Sequence, residues 1–327
     1  MKPYKPVIPL VCLIAAVAVS ALWWSLGSRG GDEQPSSETG TAAVSAGKTA
    51  AVGPGDAPVA NPEQDLTIRE AVLILSGRQG EGSYAVRIAA AHALPEDLTP
   101  VELGIVRESI LLGAQPEGLG YRQWHALFND TLNALVLEQS RPVAQLPELL
   151  RTIIAEGERD PVIRDYALQH LLAFAEHRMG PQERLALLEA LWPGLAGSAD
   201  QAQTLPGTYL LALTHAQGQA GWPGKETTAA RAWEVLQNEQ THVLTRITAL
   251  QICGKLGYPG ALPLSREIAG GRDAHMTLRT AAIATIGDLG GASELDFLND
   301  LHSRTPARLR VAIEAARTRI DSRLPKT

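Results

Sequence analysis

Two stretches of this chain repeat one another at an offset of 33 residues. Residues 243–257 read VLTRITALQICGKLG and residues 276–290 read MTLRTAAIATIGDLG. The offset superposes Arg246 on Arg279, Ala249 on Ala282, Leu250 on Ile283, Gly254 on Gly287, Leu256 on Leu289, Gly257 on Gly290 and Leu262 on Leu295. A further unit starts near Arg308-Leu309-Arg310-Val311-Ala312, and earlier echoes lie at 162–168 and 86–90. Arg87, Arg164 and Arg246 stand 77 and 82 residues apart, so each gap holds two units of about 40. Degenerate members fall near Tyr121-Arg122 and Tyr209-Leu210, which makes about seven helix pairs. One such pair has too little core to stand alone, whereas stacked pairs bury a continuous apolar seam.

The units are helical. Aromatic residues are only 5% of the 327, while Ala and Leu, which favour helices, are abundant. Apolar residues recur three and four apart, as in Leu146, Leu149, Leu150, Ile153 and Ile154. Thr99-Pro100-Val101-Glu102 combines an N-cap, a first-turn proline and the acid of a capping box. Asp160-Pro161 and Thr305-Pro306 repeat the cap-then-proline signal. Breaks are expected at Gly180-Pro181, Pro193-Gly194, Gly197-Ser198, Pro206-Gly207, Pro223-Gly224 and Gly270-Gly271. Within a unit, the Ala lets two helices approach closely and the Gly can supply a left-handed stop. The Arg can lay its stem along the next pair and bond a carbonyl or carboxylate.

The Arg-x-x-Ala pattern, the Gly-x-x-Gly stop and the amphipathic helix that follows resemble HEAT repeats, in the short bacterial form also found in phycobilisome lyases. The resemblance is specific over about residues 240–320, suggestive at 160–175 and 84–94, and weak at 100–160 and 180–230. It implies a right-handed α-solenoid, all-α, that binds partners through a groove lined by the second helices. It does not imply lyase activity, because the same fold serves many functions. Armadillo repeats or another helix-pair array produce a similar pattern. Arg308, Arg310, Glu314, Arg317, Arg319, Asp321 and Arg323 crowd the last helix; they read as a solvated cap on the stack, with a basic docking patch as the rival.

Ahead of the solenoid, assigned to 66–327, lie two other segments. Residues 7–26 form a twenty-residue run without charge, long enough to span a bilayer, preceded by Lys2 and Lys5 and closed by Trp23 and Trp24. We read 1–27 as an uncleaved signal anchor in an inner membrane of bacterial type, N-terminus cytoplasmic, with the rest translocated. The rival is a cleaved signal peptide, for which Val19-Ser20-Ala21 offers small residues. Residues 28–65 contain no aromatic residue, Leu or Ile, so they read as a disordered linker.

Chemistry-bearing spacing is scarce. A net charge of -6 argues against a broad nucleic-acid footprint. None of the eight His residues lies in a zinc motif, so neither metal nor cofactor is expected. The 77–82 segment is glycine-rich but lacks the Gly-Lys-Ser/Thr of a phosphate loop. Cys253 aligns with Ile286, a core position, and reads as a small buried hydrophobe. The expected function is a membrane-tethered, extracytoplasmic scaffold, not an enzyme, binding a protein or peptide; the alternative is a periplasmic enzyme or accessory subunit with a small ligand in the groove. Candidate binding residues are His92, Gln169 and Gln251, each five residues after an aligned Arg, with Ala284 in the same place. Trp222, in a Gly/Pro loop, either plugs the stack or is exposed for a partner.

Overall fold

The structure is a computed structural model that describes residues 68–80, 82–197 and 204–325. The membrane anchor and linker read from the sequence lie outside the described residues. Among the described residues every regular element is helical, and no helix is long and apolar enough to cross a membrane.

Fourteen α-helices follow one another in the described residues: α1 (Glu70–Leu75), α2 (Tyr84–His92), α3 (Pro100–Val106), α4 (Tyr121–Asn133), α5 (Leu146–Ala155), α6 (Pro161–Arg178), α7 (Pro181–Ala196), α8 (Leu205–His215), α9 (Lys225–Gln237), α10 (Val243–Leu256), α11 (Ala261–Gly270), α12 (Met276–Leu289), α13 (Ser293–Arg304) and α14 (Ala307–Arg323). Two π-helical turns, Arg107–Leu111 and Ala134–Glu138, continue α3 and α4. The even-numbered helices form a row in which each packs against the next, from α2 to α14. Odd-numbered helices lie beside the row; α1, α5, α7, α9, α11 and α13 each pack on the even helix that follows. One apolar core runs through the array from Val72 to Ile320.

The repeat residues hold this row together. Ala249, Ala282, Leu250 and Ile283 are fully buried. Glycines in the last turn of α10 and α12 mark close approaches between helices. A Cβ on Gly287 would lie 2.8 Å from Ala316 Cα on α14, and one on Gly254 would lie 3.5 Å from Thr285 Cα on α12. At two of the aligned positions, Arg164 and Arg279, the Arg acts differently from the expectation, tying a unit to itself. Arg164 Nε and Nη2 donate to the Ile154 carbonyl at 2.9 and 2.8 Å, and Arg279 Nε donates to the Ala269 carbonyl at 3.1 Å. Both carbonyls stand ten residues upstream at the end of the preceding helix, where orphan acceptors need a donor.

Thr99 makes the expected capping box with Glu102, and Asp160 accepts from the Val162 and Ile163 amides at 2.8 and 3.2 Å. Thr305 does not cap α14; its hydroxyl donates to the Leu301 carbonyl and so closes α13. Two expected breaks are absent. Pro206 sits in the first turn of α8, where its missing N–H leaves no bond unmade, and α7 runs through Pro193-Gly194 to Ala196. Gly257 is left-handed at φ 70°, and the Tyr258 amide reaches back to the Cys253 carbonyl at 2.9 Å, a Schellman stop. Its repeat partner Gly290 is not left-handed; it is needed because a Cβ would meet the Ile286 carbonyl oxygen at 2.6 Å.

At the C-terminal end, α14 is held by Arg323, which donates to the Gly287 and Gly290 carbonyls at 2.7 and 2.8 Å, and by an Arg319–Asp288 ion pair at 3.2 Å. These arginines are spent on the stack itself, which favours the cap over the docking patch.

Candidate functional site

Polar side chains cross the even-numbered row where its apolar seam ends. His92 on α2 meets Asp130 on α4, Nε2 to Oδ2 at 2.9 Å. Asn129, beside Asp130, accepts through Oδ1 from His170 Nε2 on α6 at 3.0 Å. His170 is completely buried, and its Nδ1 has no hydrogen-bond partner among the described residues. Burial alone lowers its pKa to about 4, so the ring is neutral near pH 7.

One turn away, Asp165 ties α6 to α8. It accepts from the Thr208 hydroxyl at 2.6 Å, from the Gln169 amide at 2.7 Å and from the Thr204 hydroxyl at 3.4 Å. Burial pushes the Asp165 carboxyl above its ordinary range against the pull of those donors. The Tyr166 phenol is raised as well, by burial first and then by the charges of Asp165 and Asp130. These groups cross-link neighbouring helices. Their hydrogen bonds are satisfied chiefly within the row, which leaves little to offer a ligand.

That arrangement decides the expected binding row. His92 is exposed, at 65% of its side chain, and Gln251 is exposed on α10. Gln169 is buried against Asp165, and Ala284 is half-buried. The four positions therefore do not form one exposed row. They share a place in the repeat, but the Asp165 cluster covers that place on α6 and nothing equivalent among the described residues covers it on α10.

Trp222 is a plug. It is 7% exposed and lies under Arg184, whose guanidinium carbon is 5.8 Å from the ring centroid. The Arg184 guanidinium also donates to the carbonyls of Ala175, Glu176, Met179 and Ala220 at 2.7 to 3.0 Å, which clamps this loop onto the start of α7. Gly221 is required there, since its φ is 79° and a Cβ would meet Pro181 Cα at 2.5 Å. Cys253 is buried, and desolvation pushes its thiol up to about 12, away from nucleophile chemistry. No group of three or more His, Cys, Asp or Glu among the described residues could hold a metal ion.

An open groove of about 610 Å³ lies between the α3–α4 and α5–α6 units. Leu112 to Gln115 form one wall and Glu156 to Asp160 the other, with Tyr121, Trp124 and Ile163 between. The π-turn Arg107–Leu111 leads straight into the first wall, and Gly113 permits the tight return, because a Cβ would meet the Ser109 carbonyl carbon at 2.9 Å. Arg159 pins the second wall by pairing with Glu156 at 2.9 Å and donating to the Leu111 carbonyl. Tyr121 is 68% exposed, and Leu112 is also exposed. His125 Nε2 lies 3.2 Å from Asp160 Oδ1 but off the direction a hydrogen bond needs. Sequence reasoning misses this groove. Its walls come from segments about 45 residues apart, and the one local signal is an exposed aromatic, Tyr121, at a helix start after Gly120.

Compared with family models, with curated proteins and with solved structures, the chain finds no match in any of the three.

Proposed function

We propose that this chain is a membrane-tethered interaction scaffold: a right-handed α-solenoid of about seven HEAT-like helix pairs, held outside the cytoplasm by the 7–26 anchor and the 28–65 linker. It binds a protein or peptide and has no catalytic activity of its own. The observation that supports this reading is the row of seven even-numbered helices, each packed on its neighbours in the row and on flanking odd-numbered helices. Such a stack grows in one dimension and presents a long surface instead of one enclosed pocket, which suits an extended partner. The polar cluster around Asp165 is spent on cross-linking helices and leaves little for a substrate.

The test is affinity isolation of the full chain from membranes, followed by mass spectrometry and a parallel metal and turnover screen. The expected result is a protein recovered in near-stoichiometric amount. Stoichiometric metal, or turnover of a small substrate, would replace the scaffold with the enzyme reading.

A further inference from the structure

The groove between the α3–α4 and α5–α6 units has a chemistry of its own. Its floor is apolar, formed by Trp124 and Ile163, and its rim carries the exposed Leu112 and Tyr121. Three carboxylates line it, Glu156, Glu158 and Asp160, against one guanidinium, Arg159. That guanidinium is committed to Glu156 and to the Leu111 carbonyl. Asp160 is turned to the start of α6 as its cap. Glu158 is exposed and makes no hydrogen bond or ion pair among the described residues.

The walls are also fixed before anything binds. Arg159 ties one wall to the other, and Arg164 reaches the Ile154 and Gly157 carbonyls beneath the second wall. A groove held open in this way does not have to be ordered by its ligand, which lowers the entropic cost of binding.

We infer that this groove is a docking site for an extended peptide segment of a partner protein, one that places a Lys or Arg beside an aliphatic or aromatic side chain. This rests on the scaffold reading above and names the partner's chemistry. The cation meets Glu158 and the face of Tyr121, where carboxylate and ring quadrupole attract it together. The neighbouring apolar side chain covers Leu112 and the floor at Trp124 and Ile163. An acidic segment is rejected, because it would face three carboxylates with the one arginine already paired.

The experiment pans a displayed library of random dodecapeptides over the immobilised full chain in detergent. A selected peptide is then synthesised with a fluorophore and titrated by anisotropy. Selected sequences should carry Lys or Arg within two positions of Leu, Ile, Phe, Tyr or Trp. Tyr121→Ala with Glu158→Lys should weaken the peptide at least about tenfold, while Gln237→Ala, exposed at the end of distant α9, should leave it unchanged. Both groove residues are exposed, so the double variant should keep its circular dichroism and unfolding midpoint. Selection of neutral or acidic peptides, no selection at all, or affinity indifferent to the double variant overturns the proposal. So does a dimer of the full chain that the double variant splits, since the occupant is then a second copy. A protein that co-purifies with the full chain and stays bound to the double variant removes the groove and leaves the scaffold. Failure of any protein to co-purify removes the scaffold itself.

Discussion

Gly287→Ala is the substitution that tests the stacking most directly. Gly287 lies within α12, where helix propensity alone would favour Ala by about 1 kcal/mol. In the row, however, the added Cβ falls 2.8 Å from Ala316 Cα and 2.9 Å from Ala316 Cβ on α14. Carbon pairs rest at about 3.5–4.0 Å, so the two helices must part locally by roughly 0.6–1 Å. Overpacking of this kind costs about 1–3 kcal/mol, and more of it is retained when the obstacle is backbone. With backbone as the obstacle the cost falls in the upper part of that range, about 2–3 kcal/mol, and less the propensity gain the net expectation is a loss of about 1–2 kcal/mol. Gly104, inside α3, is the control, because a Cβ there meets nothing within 4 Å. Gly104→Ala should gain about 0.5–1 kcal/mol. Adding Ala316→Gly to Gly287→Ala should restore only part of the loss, since the new methyl still presses on the α14 backbone. Urea unfolding followed by far-ultraviolet circular dichroism gives the midpoints. Hydrogen exchange of α12 and α14 shows whether the loss is local, as a stacked array allows. A Gly287→Ala protein as stable as its parent, or a Gly104→Ala protein equally damaged, would refute the close-approach account.

Ala249→Leu and Ala282→Leu, at fully buried positions of the same row, should each cost about 1–3 kcal/mol; unchanged midpoints for both would contradict the repeat assignment. Glu102, buried and bonded to Arg69 at 2.6 and 2.8 Å, has its pKa lowered to about 2, first by the Arg69 hydrogen bonds. Its folded pKa lies below the unfolded value, so its contribution is present above about pH 4.5 and fades as pH falls towards 2. Glu102→Gln should therefore cost about 1–2 kcal/mol at pH 7, discounted for the part-exposed arginine, and the gap from the parent should close in acid. A gap independent of pH would show that the carboxylate charge is not what matters. His170 predicts a separate window. With its pKa lowered to about 4 from an ordinary 6.5, folding should weaken below pH 6.5 by up to about 1.4 kcal/mol per pH unit, levelling off near 4. His170→Asn should flatten that slope in thermal melts across pH; an unaltered slope would point to another group.

Local regularities carry much of the fold into the sequence. The 33-residue offset places α10 and α12, because Ala, Leu and Ile at fixed helical spacing must face a neighbour whatever that neighbour is. Thr99 and Asp160 mark helix starts because a cap bonds amides only two or three residues on. The same reasoning fails at Pro193, whose position near the end of α7 makes the lost bond tolerable, and at Thr305, which bonds backwards instead of forwards. Gln169 and Gln251 show the limit more sharply. Both stand five residues after an aligned Arg, yet one is buried and the other exposed. The difference is Thr208 on α8, which brings a donor to Asp165 from 43 residues away. Periodicity states which face of a helix is apolar, but only the tertiary structure decides which polar groups of other helices meet there. The groove is the same case: Tyr121 and Glu158 acquire a shared surface because α4 and the α5–α6 loop stack side by side, and spacing along the chain holds no trace of that distance.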